Sequence, residues 1–146
     1  MINRNIRHRY FCFQSRGPDR RGVAAVEFAI VAPIFFMLVF GCIEFGRALM
    51  VQQILTNASR VGARQAITLN ASESAVVSAA SSYASSTSVP GVNVSVSPSP
   101  GSAKAGDMVS VTVAVPFNNI SWIPAPWFMG GATLDATSVM RKEGFE

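Results

Sequence analysis

The sequence has few of the side chains on which enzymes and disulfide-rich domains depend: two cysteines, one histidine and only 14% charged residues among 146. His8 lies in the Arg-rich first 22 residues, so no later serine or cysteine has a histidine as general base, and we expect no enzymatic activity. Cys12 lies in the same stretch and Cys42 stands alone after it, which excludes a disulfide within the remainder. Side-chain packing must therefore stabilise the chain after residue 22.

Acidic residues are also sparse after the first 22 positions. Asp107, Asp135, Glu143 and Glu146 lack the compact spacing of a calcium loop. The stretch GSAKAGD, which begins at Gly101, lacks the residue order of a phosphate-binding loop. We therefore expect no metal, no cofactor and no small-molecule substrate.

The basic charge is confined to the N-terminus. Six arginines and Asp19 give residues 1–22 a charge of +5, while the whole chain carries +4, so the rest carries −1. A basic surface for nucleic acid is therefore not expected beyond this leader. The arginines are Arg4, Arg7, Arg9, Arg16, Arg20 and Arg21.

An apolar run follows the leader directly. From Val23 to Ile43 the only charged residue is Glu27, and a helix of that length is about 30 Å long, the thickness of a bilayer's hydrocarbon core. We predict a leader over residues 1–22 and a transmembrane helix over residues 23–46. Because the arginines precede the span and the next cation is Arg47, the N-terminus is predicted in the cytoplasm and the C-terminal part on the far side.

Glu27 needs a partner, because a carboxylate at the centre of a bilayer costs roughly 2.5–3.5 kcal/mol and somewhat less near an interface. In one interpretation the chain is an uncleaved anchor and Glu27 reaches back to Arg20 or Arg21. In the other, a peptidase cuts after Gly22, Val23 gains an α-ammonium, and Glu27 becomes the fifth residue of the mature chain. If helices then stack with an axial stagger, Glu27 of one subunit neutralises the ammonium of the next.

Helical spacing of apolar residues continues beyond the span, which predicts an exported amphipathic extension over residues 47–69. Arg60 and Arg64 share one face of it, and a solvated face explains them better than an acidic or phosphate partner. Asn70 and Glu73 have capping-box spacing and predict the start of a second, Ala/Ser-rich helix that ends near Ser85.

Period-two patterns predict strands in the C-terminal part. Valines alternate with polar or small residues around Val92–Val96 and Val109–Val115, and a third strand is expected over Thr133–Arg141. We predict an α+β fold in which the long N-terminal membrane-spanning helix packs on a small three-stranded antiparallel sheet, with residues 70–146 as a small exported domain.

The segment from Phe117 to Gly131 is rich in large apolar side chains, among them Trp122, Trp127 and Phe128, and its prolines exclude a regular strand. Such residues dominate interaction hot spots, which makes the segment a candidate contact loop. The alternative, which we favour, is a loop that folds back over the open edge of the helix and sheet.

The leader boundary resembles a known processing site. Arg21, Gly22, the four residues VAAV, Glu27 and Phe28 fit the prepilin-peptidase site of Flp-type pilins and pseudopilins, with cleavage between Gly22 and Val23. The continuation AIVAPIFFMLVFGCIEFGRAL and the tail from VTVAVPF to LDATSVMRKE are similar to the TadE-like minor pseudopilins of the tight-adherence system. The Flp major pilin is much shorter and lacks an extended β region, so a major fibre subunit fits less well.

The resemblance implies a pilin-like plan and a structural role in biogenesis of Flp-type pili or a related secretion apparatus. It also implies a single-pass location in a bacterial inner membrane with the C-terminal domain periplasmic or otherwise extracytoplasmic. The implied partners are the membrane, a prepilin peptidase, a companion pseudopilin and the Flp pilin assembly machinery. The alternative is an unprocessed single-pass membrane protein whose exported domain binds a ligand or adhesion target.

Overall fold

The computed structural model describes residues 20–121 and 131–144, with backbone only for Arg20 and Arg21. Its elements are α1 at Arg20–Ala66, α2 at Glu73–Ser86, β1 at Asn93–Ser97, β2 at Met108–Pro116, a 3-10 turn at Phe117–Asn119 and β3 at Thr133–Arg141. Contacts divide the chain into two units between Met37 and Leu38.

The N-terminal unit is the first part of α1, which continues as a helix through Pro33. Its large apolar side chains are exposed, including Ile30 at 63%, Ile34 at 65% and Phe28 at 72%. Within the part of the chain that the structure describes, α1 is the one helix long and apolar enough to cross a membrane, and its most apolar stretch is not buried in the protein. A core helix of a water-soluble fold would be covered, so the exposed surface indicates a single-pass membrane protein.

The C-terminal unit contains the predicted sheet. Its strand order is β1-β2-β3, and both pairings are antiparallel, with Val96 opposite Val111 and Val113 opposite Ala136. The third strand has the predicted bounds, Thr133–Arg141. The predicted α+β fold with a helix packed on a three-stranded sheet is confirmed.

Period-two alternation decides which face of the sheet is covered. The odd-numbered valines of β2, Val109 to Val115, are fully buried, whereas the opposite face presents small polar side chains such as Thr112, whose hydroxyl lies 2.8 Å from that of Thr137. The core consists of those valines with the buried face of α1, including Leu55 and Ala58, and with the buried alanines of α2.

In this unit α1 runs alongside β3 in the same direction. Gln52 Nε2 donates to the carbonyl of Asp135 at 2.7 Å, and the hydroxyls of Ser59 and Ser138 lie 2.8 Å apart. Gln52 thus gives a partner to one backbone carbonyl of β3, which lies at the edge of the described sheet. Ser59 is fully buried, and its hydroxyl is paired with that of Ser138.

At Gly62, α1 lies close to both β2 and α2. A Cβ added there would lie 3.0 Å from Val111 Cγ1 on β2 and 3.3 Å from Ala80 Cβ on α2. A helix interior disfavours glycine relative to alanine by roughly 0.5–1 kcal/mol, so the glycine is explained by this close packing.

The start of α2 corrects one prediction. Asn70 is not the helix cap: it has a left-handed φ of 60° in the turn after α1. The N-cap is Ser72, whose hydroxyl accepts a hydrogen bond from the Ala75 amide at 3.2 Å. Asparagine tolerates the left-handed conformation better than most residues, and this use of Asn70 outweighed its capping tendency.

We expect Gly62→Leu to lower the free energy of unfolding by about 1–3 kcal/mol, because the added side chain overpacks the contact of α1 with Val111 and Ala80. Gly46→Leu is the matched control, since a Cβ at Gly46 meets nothing within 4 Å. Thermal and denaturant unfolding of the detergent-solubilised full chain, followed by near-UV circular dichroism, gives both values. Equal losses in the two variants would contradict the packing role of Gly62.

Candidate functional site

The predicted processing residues lie in the first turns of α1. A Cβ at Gly22 would meet nothing within 4 Å, and Val23 is 60% exposed, so the peptide bond between them lies on an open surface. Helix ends fray within their first turn, which makes this bond easier to extend than one further along α1. Arg21 belongs to the same turn by its backbone.

Glu27 and Phe28 follow one turn later and are both exposed. Glu27 has no hydrogen-bond or ion-pair partner among the side chains of residues 22–121 and 131–144. It is surrounded on α1 by apolar side chains such as Val26 and Ile30, each more than 60% exposed. The structure thus places a carboxylate on a surface that otherwise suits lipid, where a cationic partner from another molecule would stabilise it.

A second polar cluster lies where α1 leaves the predicted span, and sequence reasoning missed it. Glu44 is only 5% exposed, and its Oε2 accepts a hydrogen bond from Ser121 Oγ at 3.0 Å. One turn later Arg47 Nε donates to the carbonyl of Ile120. We call these four residues the exit clamp. It joins α1 to the segment after the 3-10 turn, across more than 70 positions of sequence.

The two charged members of the exit clamp share a helix face because they are three residues apart. That spacing was visible in the sequence, but nothing in it identified Ile120 and Ser121 as the partners. Ile120 is itself 2% exposed, so its carbonyl needs a donor, and Arg47 supplies one.

The predicted contact loop lies outside the described residues. Trp122, Trp127 and Phe128 belong to residues 122–130, between Ser121 of the exit clamp and Gly131. Just beyond this stretch, the Ala132 carbonyl accepts a hydrogen bond from the Phe117 amide at 2.8 Å.

No group of three or more His, Cys, Asp or Glu side chains within residues 20–121 and 131–144 is placed to hold a metal ion. At the opposite end of the sheet an open cleft is lined by Leu69, Gly106, Arg141 and Glu143 among others. Its lining carries charges of both signs, from Arg141 and Lys142 and from Glu143.

We expect Ser121→Ala to lower the free energy of unfolding by about 1–3 kcal/mol, because it removes a hydrogen bond to the buried carboxyl group of Glu44. Ser82→Ala, on the exposed face of α2, should change it by less than about 0.5 kcal/mol. The measurement is denaturant unfolding of the two full-length variants in the same detergent. If Ser121→Ala is as neutral as Ser82→Ala, the exit clamp does not stabilise the fold.

Residues 22–64 match the family model described as TadE-like protein, less than half of the chain. Neither the curated proteins nor the solved structures gave a match. The matched segment begins at Gly22 and ends near the C-terminus of α1, so it contains Glu27, Glu44 and Arg47. Over this segment, which includes the candidate span and most of its continuation in α1, the chain is similar to the TadE-like family.

Proposed function

We propose that the chain is a minor pseudopilin, cleaved by a prepilin peptidase after Gly22, that acts as a structural component in biogenesis of Flp-type pili or a related secretion apparatus. The family match suggests a component associated with the tight-adherence pilus. The observation that carries the finer proposal is Glu27, an exposed carboxylate on the apolar surface of α1, four residues after the proposed new N-terminus at Val23.

Two features support cleavage at this bond. The match to the family model begins at Gly22 and does not include the Arg-rich leader. Gly22 also presents no side chain on the open surface of the first turn, whereas a larger residue there would stand beside the bond to be cut. The proposed partners are therefore the peptidase first, and then a companion pseudopilin and the Flp pilin assembly machinery in the inner membrane.

Cleavage changes the electrostatics of the helix end. The α-ammonium of Val23 adds a positive charge where the helix dipole is already positive, so it is destabilised unless an anion approaches. A neighbouring helix that is shifted along its axis can place its Glu27 carboxylate beside this ammonium. The ammonium of that neighbour then pairs with Glu27 of the following helix in the stack. Opposite charges in a medium of low dielectric attract strongly, so this pairing would set the register of an assembly.

We expect Glu27→Ala to insert into the membrane and to be processed normally but to reduce surface piliation at least about tenfold, because removing one partner of a desolvated ion pair costs several kcal/mol. Glu27→Gln should be equally defective, since it keeps the shape and loses the charge. Glu73→Ala is the control, because that glutamate is exposed at the start of α2, in the C-terminal unit. Wild-type numbers of pili with Glu27→Ala would remove the assembly role.

We expect Gly22→Leu to block processing, so that the membrane fraction contains only the chain with its leader and pili are lost. An immunoblot that separates the two forms measures this, and Gly46→Leu serves as a control with a glycine changed elsewhere in α1. Normal pili from an uncleaved Gly22→Leu chain would instead favour the unprocessed membrane protein whose exported domain binds a ligand or adhesion target.

A further inference from the structure

The exposed face of α1 in the C-terminal unit changes character abruptly. An α-helix turns by 100° per residue, so the direction of each side chain around the axis of α1 follows from its position. Eight exposed residues of α1 lie within about 60° of one such direction and therefore form one face. The first four are apolar or lack a polar side chain and the last four are polar. They are Cys42, Gly46, Leu49, Met50, Gln53, Asn57, Arg60 and Arg64.

Leu49 and Met50 are the last apolar members of this face, 54% and 59% exposed, and Phe45 beside them is 60% exposed. They follow Glu44 and Arg47, the residues at which the sequence pattern places the end of the span. Side chains of this size fully in water would each forgo roughly 1.5–3 kcal/mol of burial.

The exit clamp explains why the charges come before the last apolar residues. Glu44 faces the protein, where Ser121 donates to it, and Arg47 donates to the Ile120 carbonyl. The positions of these charged groups therefore do not show where the opposite face of α1 passes from lipid into water. On that face the first polar side chain is Gln53.

We propose that Leu49 and Met50 lie in the lipid interface at the C-terminal end of the span, so that the exported domain rests directly on the bilayer surface. From Ile43 to Met50 the helix rises about 10 Å, a few ångströms more than the roughly 5–8 Å that the headgroup region adds to each side of the hydrocarbon core. Helical side chains lean toward the N-terminus of the helix, which here is the side of the candidate span, and this brings Leu49 and Met50 back toward the interface. The occupant is lipid because this surface is continuous along α1 with the exposed apolar residues Phe40 and Ile43 of the candidate span. The proposal does not depend on cleavage at Gly22.

Thiol reactivity tests the proposal on the full chain. In a background with Cys12→Ser and Cys42→Ser, single cysteines are placed at Leu49 and Met50, at Asn57 as the aqueous control on the same face, and at Ile34 as the control within the span. Each variant is reconstituted at one copy per phosphatidylcholine nanodisc and treated with a charged, membrane-impermeant maleimide. Rates are divided by those of the denatured chain, and far-UV circular dichroism checks that each variant is folded.

We expect Leu49→Cys and Met50→Cys to react about tenfold or more slowly than Asn57→Cys, because apolar surroundings raise the pKa of a thiol and each unit removes nine-tenths of the thiolate. Rates equal to that of Asn57→Cys would overturn the proposal. The same rates are measured in nanodiscs that hold two copies of the chain. Slow labelling with two copies but fast labelling with one would also overturn the proposal, since a second chain rather than lipid would then cover this face.

Discussion

One helix, α1, has an exposed apolar surface in its first part and a face buried against protein in its second, and the rest of the structure depends on this second contact. Up to Leu38 its large apolar side chains are exposed, as a lipid-facing helix requires, while from Glu44 onward one face is buried against protein. Hydrophobic burial drives that second contact, because Leu55, Ala58 and the valines of β2 form one core. Without α1 the sheet would lose the cover of its apolar face, and with it the basis of its stability.

The exit clamp lies where α1 begins to be buried against protein. A glutamate and an arginine at the end of an apolar run would ordinarily be solvated, but here Ser121 and Ile120 supply their partners. Further along α1, the buried Ser59 hydroxyl bonds to that of Ser138, and Gly62 lets α1 approach Val111 closely. These contacts join the sheet to the C-terminal half of α1.

Much of this fold follows from the sequence, because periodicity reports which residues share a face. The alternating valines located β1 and β2 to within one residue at each end, and the apolar run identified the candidate span. Periodicity does not report partners across 70 positions, so the contacts of Glu44 and Arg47 were not predictable. The prediction that the span ends at residue 46 rests on the charges of Glu44 and Arg47, and the proposed lipid contact of Leu49 and Met50 would extend it. The wrong cap at Asn70 arose because a turn and a cap favour the same residue types.

We propose that the chain is a processed component of the tight-adherence system, and processing would be visible at the N-terminal residue of the membrane-extracted protein. Intact mass and N-terminal sequencing would be done on protein from cells with and without the prepilin peptidase. We expect a chain that begins at Val23 when the peptidase is present and one that retains the leader when it is absent. A chain that keeps Met1 or other leader residues in the presence of the peptidase would contradict it.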